Sequence, residues 1–374
     1  MPAETPETLT LDDLDYQLLT ALQLAPRADW QRIGAALGVD GSTAARRWNR
    51  LFQTGHAWIS CLPAQLALPS VVLAVIEVDC VAGRLPEVAA GLADDVNIVT
   101  LEHVTGARDL LIQAAFADHV QLGRYLSLRL GTLPGVAASR TQIAVTVHIE
   151  GSRWRLDRLS EQARRSLTRN RPEKPTSSHI FSDEDVRLIQ VLSEDPRQPA
   201  VRIAERTGLS PTTVRRRLDR LDAERSIAYR CEVARYVSGY PISVSLWCTL
   251  PPGDTGRVVS RLSGMRETRF CATLSGSANL ILVVWLRSVQ EVAAFEARLS
   301  VQVPELTITD RAVALWVLKL GGHLLDPLGR NLRTVPLGFW NDPESDAAEG
   351  ELLARLRQAG RLTAPTQSVA GSPD

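Results

Sequence analysis

Between residues 181 and 224 apolar side chains recur at helical spacing in three short runs. Ser182 and Asp183 offer an N-cap, and Val186, Ile189, Val191 and Leu192 form the buried stripe of a first helix that Pro196 ends. A second helix runs from about Pro199 to Thr207 with Val201, Ile203 and Ala204 inward. Gly208 supplies the turn that follows, because only glycine takes positive φ without steric cost. Ser210 caps a third helix, and Pro211 takes its first position, where a missing N–H does no harm. Val214, Leu218 and Leu221 of that helix face inward, which leaves Thr212, Thr213, Arg215, Arg216, Arg217 and Arg220 for other faces. The pattern then turns to strands. Ile242 to Leu250 is a β-branched run, a helix follows at about 255–264, and a strand leads through Leu274-Ser275-Gly276-Ser277-Ala278-Asn279 into Leu280 to Leu286. An amphipathic helix at 288–300 and a last strand at 309–318 complete the order βαββαβ, the ferredoxin-like split unit.

The whole pattern occurs twice. Residues 11–58 and 181–228 align without a gap at a constant offset of 170, with fourteen identities in 48 positions, among them Asp13/Asp183, Asp15/Asp185, Pro26/Pro196, Arg27/Arg197, Gly38/Gly208, Thr43/Thr213, Arg46/Arg216, Arg47/Arg217 and Arg50/Arg220. The offset persists through the strands in Gly106/Gly276, Leu110/Leu280, Pro134/Pro304, Ala144/Ala314 and Val147/Val317. Solenoid units run roughly 20–50 residues. This period is that of a whole protein written twice. The expected architecture is α+β, two winged helix-turn-helix domains (1–62 and 179–235) alternating with two ferredoxin-like sandwiches (68–150 and 238–322), joined by a basic linker at 151–178 and followed by a partly disordered tail at 323–374.

Two helices joined by a glycine-bearing turn, the second opening on hydroxyl residues and rich in arginine, suit double-stranded DNA: small polar residues approach base edges, and arginine pairs bidentately with guanine or grips phosphate. An arginine run on one helix alone is as readily a solvated face; the glycine turn, the Ser-Pro cap and the duplication weigh against that. The candidate DNA-binding residues are Ser210, Thr212, Thr213, Arg215, Arg216, Arg217 and Arg220, with Ser42, Thr43, Arg46, Arg47 and Arg50 in the first copy. That copy has Asp40 for Ser210, Gly41 for Pro211 and Ala45 for Arg215, so different or weaker base readout is expected from it. Trp30, Trp48 and Trp58 are expected in packing rather than on bases.

The run LDxxDxxLLxxLxxxPR…IGxxLG…RRxxRL, joined to a sandwich with a TGxxD hairpin, resembles the Lrp/AsnC (leucine-responsive, feast/famine) transcription regulators over roughly 11–148 and again 181–320. Family members ordinarily carry one copy of each module, so the chain looks like a tandem fusion. The resemblance implies that the sandwiches pair sheet to sheet, that chains associate further into homo-oligomers, and that an amino acid or related metabolite binds near the hairpin. Carried over, Thr105, Gly106 and Asp109, with Arg108 inside the turn, are ligand candidates. The second copy keeps Gly276 but has Ser275 and Asn279, which removes a carboxylate partner for a ligand ammonium group. In either copy the glycine equally suits a plain hairpin turn.

Composition narrows the alternatives. Hydrophobic and charged contents of 45% and 22% are those of ordinary globular proteins, and the net charge of zero requires any nucleic-acid site to come from local clustering. The five cysteines include no CxxC pair and the six histidines no ligand spacing, so neither a metal nor a cofactor is expected. No apolar run reaches the roughly 18 residues of a membrane span, and the acidic first ten residues do not read as a secretory leader, so a cytoplasmic protein is expected. Linker residues Arg153, Arg155, Arg158, Arg164, Arg165, Arg169, Arg171 and Lys174 read as a solvated spacer, helical at first. The leading function is a DNA-binding transcriptional regulator without catalytic residues. Some proteins that resemble this family pair the same two modules as sirohaem-type tetrapyrrole decarboxylases, which makes His103 and His148 candidates for that alternative, although both sit beside apolar strand residues where a structural histidine is more usual. A metabolite sensor acting through protein partners is the other alternative.

Overall fold

The computed structural model describes residues 10–64, 71–168, 181–338 and 343–359. Each helical unit forms as its sequence dictates. Helices α1 (Asp13–Leu24), α2 (Trp30–Leu37) and α3 (Gly41–Gln53) make the first, and α7 (Asp183–Glu194), α8 (Ala200–Thr207) and α9 (Pro211–Ala223) the second. Asp12 and Ser182 cap α1 and α7 in reciprocal capping boxes with Asp15 and Asp185. Gly38 and Gly208 turn at φ 70° and 73°, where a β-carbon would be strained. Val201, expected inward, is half exposed.

The strand after each unit does not form a hairpin wing of its own. Strands β1 (Ala57–Pro63) and β6 (Ile227–Val233) pair antiparallel with one another, and Ser60 faces Arg230. Those two residues are 170 apart, so a pseudo-two-fold axis passes between them. Helix α1 packs on β6 and α7 on β1, which ties each helical unit to the other's strand.

The sandwiches follow the βαββαβ order. The first contains β2 (Val72–Cys80), α4 (Leu85–Ala93), β3 (Ile98–Val104), β4 (Leu110–Phe116), α5 (His119–Arg124, continued by a π-helical turn over Tyr125–Leu130) and β5 (Val136–Ile149). The second contains β7 (Ile242–Thr249), α11 (Thr255–Ser263), β8 (Thr268–Leu274), β9 (Leu280–Leu286), α12 (Glu291–Gln302) and β10 (Thr307–Leu320); a short α10 (Arg235–Ser238) precedes it. Each last strand is 14 residues long and serves both sheets. Val136 to Ala144 pair with β2 and Ala144 to Ile149 with β8, while Thr307 to Val313 pair with β7 and Ala314 to Leu320 with β3. Eight strands therefore close in the order β3-β4-β2-β5-β8-β9-β7-β10 and back to β3. One face of each sheet packs under helices: Ile76, Val78, Ile112 and Phe116 meet Val88, Leu92 and Tyr125 in the first half. The opposite faces meet each other through Val75, Leu111, Trp247, Ile281 and Trp285. Burial on both faces explains why β2, β4, β7 and β9 read as continuous apolar runs.

Two stretches differ from expectation. The first part of the linker is not a solvated spacer: Trp154, Leu156, Ala163 and Leu167 are buried, and α6 (Glu161–Thr168) packs on α1 and α2. Arg32 Nη2 donates to the carbonyls of Ser166 and Leu167 at 3.0 and 2.9 Å, satisfying the end of α6. Arg169, Arg171 and Lys174 lie outside the described residues. Beyond 322 the chain adds β11 (His323–Leu325) and β12 (Asn331–Thr334) beside β10, then α13 (Pro343–Gln358). Asn331 N donates to Gly55 O at 2.8 Å, and Gly338 N to Val96 O at 3.1 Å, so this segment straps the first helical unit to the first sandwich.

His323 lies in that strap without solvent exposure, its ring 5.6 Å from that of Trp58 and its Nδ1 3.1 Å from Thr334 Oγ1. Burial pushes its pKa down to about 3, and burial also lowers those of His56 and His148. The unfolded chain takes up protons below the ordinary value of about 6.5 while the folded chain does not, so stability is present above that value and is lost as pH falls toward 3. Chemical denaturation at pH 7.5, 6.5 and 5.5 should show stability declining as pH falls, with His323 contributing up to about 1.4 kcal/mol per pH unit below 6.5. His323→Phe should flatten the decline; an unchanged slope would contradict the assignment.

Candidate DNA surface and the charged site between the sheets

The twelve candidate DNA-binding residues divide into two groups. Arg47 Nη1 donates to Asp12 Oδ2 at 2.7 Å and Asp15 Oδ1 at 2.9 Å, and Arg50 Nη2 to Asp15 Oδ2 at 2.6 Å. The second copy repeats this: Arg217 bonds Asp185 at 2.9 Å and also Glu184, and Arg220 Nη2 bonds both Asp185 oxygens at 2.8 and 2.9 Å. Asp15 and Asp185 are 1% exposed, and a buried carboxylate needs such partners. These four arginines hold the third helix to the capping box of the first. Ser210 Oγ accepts from Thr213 N at 3.1 Å as the N-cap of α9, and Asp40 Oδ1 accepts from Ser42 N at 2.7 Å as the N-cap of α3. Its bonds to Ser42 lower the pKa of Asp40, which keeps a negative charge at the start of α3. Thr43 is half-buried. Ser42 and Thr212 are exposed, and so are Arg46, Arg215 and Arg216, whose side chains form no hydrogen bond or ion pair among the described residues.

A contact that pattern reasoning missed sets the distance between the two helical units. Arg27 Nη1 donates to Pro196 O, and Arg197 Nη1 to Pro26 O, a reciprocal pair about the pseudo-two-fold axis. Arg197 also donates to Ala28 O at 2.8 Å and stacks 3.8 Å over Trp30; burial lowers its pKa to about 10. The repeated Pro-Arg dipeptide was the available signal. Trp48 and Trp58 are buried in the core as expected.

The two hairpins bind the halves together. Thr105 N donates to Val313 O and Thr105 Oγ1 accepts from Val313 N, both at 2.9 Å; Ser275 makes the same pair of bonds to Ile143 at the same distance. Gly106 has φ 102°, and a β-carbon on Gly276 would lie 1.8 Å from Gln142 Nε2. Asp109 Oδ2 accepts from Cys80 N at 2.7 Å. Asn279 serves the equivalent amide, accepting from Leu250 N at 3.0 Å and donating to its carbonyl at 2.8 Å. The Asp/Asn difference thus leaves this backbone bond intact, and Asp109 is already engaged within the chain.

Arg108 has no such counterpart, since Ala278 stands at the equivalent position. Its side chain is 5% exposed and crosses between the sheets: Nε donates to Glu77 Oε2 at 2.9 Å, Nη2 to Asp310, and the guanidinium lies 4.2 Å over Trp247. Nη1 is buried without a partner. Arg140 adds bonds to Asp79 at 2.9 and 3.0 Å and lies 3.5 Å from Glu77.

A profile of the AsnC-type helix-turn-helix domain matches residues 11–51 and 183–222, and one of the Lrp/AsnC ligand binding domain matches 73–154. The HTH-type transcriptional regulator FL11 of Pyrococcus horikoshii is 30% identical over 142 residues, 37% of this chain and 93% of that protein. The chain belongs to the Lrp/AsnC family. A second relative, the HTH-type transcriptional regulator LrpA of the same organism, is 25% identical over 115 residues, 30% of this chain and 82% of its own. Such relatives each match less than half of the present chain, whose second helix-turn-helix match marks the duplication.

The crystal structure of the siroheme decarboxylase NirDL superposes over 92% of this chain and 100% of its own, with a TM-score of 0.57 at 14% identity, which shows a shared fold across both halves. In the present Lrp/AsnC chain, His103 lies on β3 between β4 and β10, and His148 on β5 beside β8. The sheet order places β4 and β2 between those two strands. Among the described residues no three His, Cys, Asp or Glu side chains form a metal-binding group, and no helix is long and apolar enough to cross a membrane.

Removing Arg108 should leave Glu77 and Asp310 without their shared cation. Arg108→Leu is expected to cost about 1–3 kcal/mol in chemical denaturation, since Glu77 keeps Arg140 beside it and Asp310 is part-exposed, and Arg108→Lys to recover little, because an ammonium has neither the planar fork nor the stacking face. Wild-type stability in Arg108→Leu would refute the role. On the third helices, Arg217→Ala should lower stability by roughly 1–3 kcal/mol by exposing the need of Asp185 for a partner. Arg215→Ala and Arg216→Ala should leave the melting temperature unchanged.

Proposed function

We propose that the protein is a sequence-specific DNA-binding transcriptional regulator of the cytoplasm whose affinity responds to an amino acid or related metabolite. The observation that carries the DNA reading is the division among the arginines: four are used to build the helical units, while Arg46, Arg215 and Arg216 stand exposed on the third helices. One chain supplies two such helices at a distance fixed by the Arg27/Arg197 exchange, so it acts as a covalent pseudo-dimer, and chains associate further as homo-oligomers. The effector site is assigned to the hairpins, with Thr105, Gly106, Arg108 and Asp109 in the first half and Ser275, Gly276 and Asn279 in the second. Because Thr105, Ser275, Asp109 and Asn279 already bond backbone, an effector there works by competing with contacts that join the halves.

Gel-shift titration against fragments of its own promoter region, repeated across salt concentrations, tests this. Log K should fall linearly with log salt, with a slope near −0.9 for each phosphate neutralised. A flat response would remove the DNA reading. A panel of amino acids added to the same titration should contain at least one that changes the affinity; none doing so would remove the effector. The whole-chain likeness to NirDL gives a second reading, a tetrapyrrole decarboxylase, which predicts a spectral shift when an iron tetrapyrrole is added.

A further inference from the structure

The axis through Ser60 and Arg230 relates α3 to α9, the helices immediately before those paired strands. Two helices related this way meet a duplex as inverted half-sites, about one helical turn or a multiple apart. The Arg27/Arg197 exchange keeps both in that arrangement. The backbone is two-fold; the exposed side chains are not. Helix α3 opens on Asp40 and presents Ser42, Arg46 and Asn49, while α9 opens on Ser210 and presents Thr212, Arg215, Arg216 and Asp219. In the first set one unengaged guanidinium, Arg46, stands on a helix capped by the Asp40 carboxylate. In the second, two unengaged guanidinium groups stand in successive positions, each able to take the O6 and N7 of a guanine. Arg46 and Arg216 are the unengaged pair that the copies share, while Arg47/Arg217 and Arg50/Arg220 are bound to Asp15 and Asp185, so the difference lies in Asp40/Ser210, Ala45/Arg215 and Asn49/Asp219.

We propose that the cognate duplex is directional: two half-sites in inverted orientation but of unlike sequence, the one under α9 carrying guanine read by Arg215 or Arg216, so that the chain binds in one orientation only. The proposal rests on the DNA-binding reading and adds to it the symmetry of the target. Selection of the full chain against a random duplex library tests both. The natural chain should enrich two unlike half-sites in a constant order. Arg215→Ala or Arg216→Ala should lose preference at guanine in one half-site, with affinity falling on the order of tenfold, and leave the other half-site unchanged. Both are surface substitutions, so folding is not at stake. The variant D40S/S42T/A45R/N49D gives α3 the exposed set of α9; Gly41 is kept, since a β-carbon there would lie 2.9 Å from the Trp30 backbone. It should enrich an inverted repeat of the guanine-bearing half-site. A palindromic site enriched by the natural chain would overturn the directional proposal while leaving DNA binding standing. No enrichment of any duplex would overturn the DNA-binding reading and the proposal with it.

Discussion

Strands β5 and β10 each belong to two sheets, and the rest of the molecule follows from that. A strand edge left unpaired exposes a row of backbone donors and acceptors. Half of each long strand would be such an edge if the βαββαβ units stood alone. Pairing Ala144 with Leu274 and Ala314 with Val104 closes both edges at once and fixes the pseudo-two-fold axis. The same axis passes between Ser60 and Arg230 far along the chain, so the ring of strands and the β1–β6 ribbon impose one symmetry on the helical units. The hairpins then follow, because Thr105 and Ser275 can reach Val313 and Ile143 only across that junction.

Divergence between the copies is distributed by what each position does. Positions that hold backbone across the halves or anchor the third helices keep equivalent bonds in both copies: Thr105/Ser275, Asp109/Asn279, Arg47/Arg217, Arg50/Arg220 and Arg27/Arg197. Positions that face solvent at the start of the third helices have drifted apart. The segments that follow the long strands have drifted furthest. After β5 the chain lays Trp154 against Trp285 and docks α6 on the first helical unit; after β10 it adds β11 and β12 and buries His323 against Trp58. Each segment anchors helices to sandwich with wholly different contacts.

Much of this is readable in the sequence, and the boundary of legibility is physical. Helix caps, the Gly38 and Gly208 turns and the βαββαβ order are local, encoded within a few residues of where they act. The offset of 170 carried that local reading to both copies. Pairing between distant strands carries no local mark, so the sharing of β5 and β10 and the β1–β6 ribbon were out of reach. Arg46 and Arg47 look alike in sequence, yet one is exposed and one is held by Asp12 and Asp15. The i, i+3 spacing of Arg47 and Arg50, matched by that of Asp12 and Asp15, was a usable hint. The basic stretch 151–168 misled because its charges outnumber Trp154, Leu156 and Leu167, although those three decide that it packs.

Arg108 shows what fusion permits that a symmetric dimer does not. Burying a guanidinium costs several kcal/mol unless its surroundings return that energy. Here they are unlike on the two sides: Glu77 from its own half, and Trp247 with Asp310 from the other. Apply the offset and the same positions hold Trp247 for Glu77, Ala278 for Arg108 and Asp310 for Arg140. A two-fold axis acting on two first halves would set Arg140 where Asp310 now stands and Glu77 where Trp247 offers its face. Acting on two second halves, it would leave Asp310 facing Ala278, with no guanidinium to share. The observed contact exists only because unlike halves meet, and covalent linkage makes that meeting the rule. Asymmetry in the core and asymmetry on the third helices therefore have one origin: once two copies share a chain, each position answers only to its own surroundings.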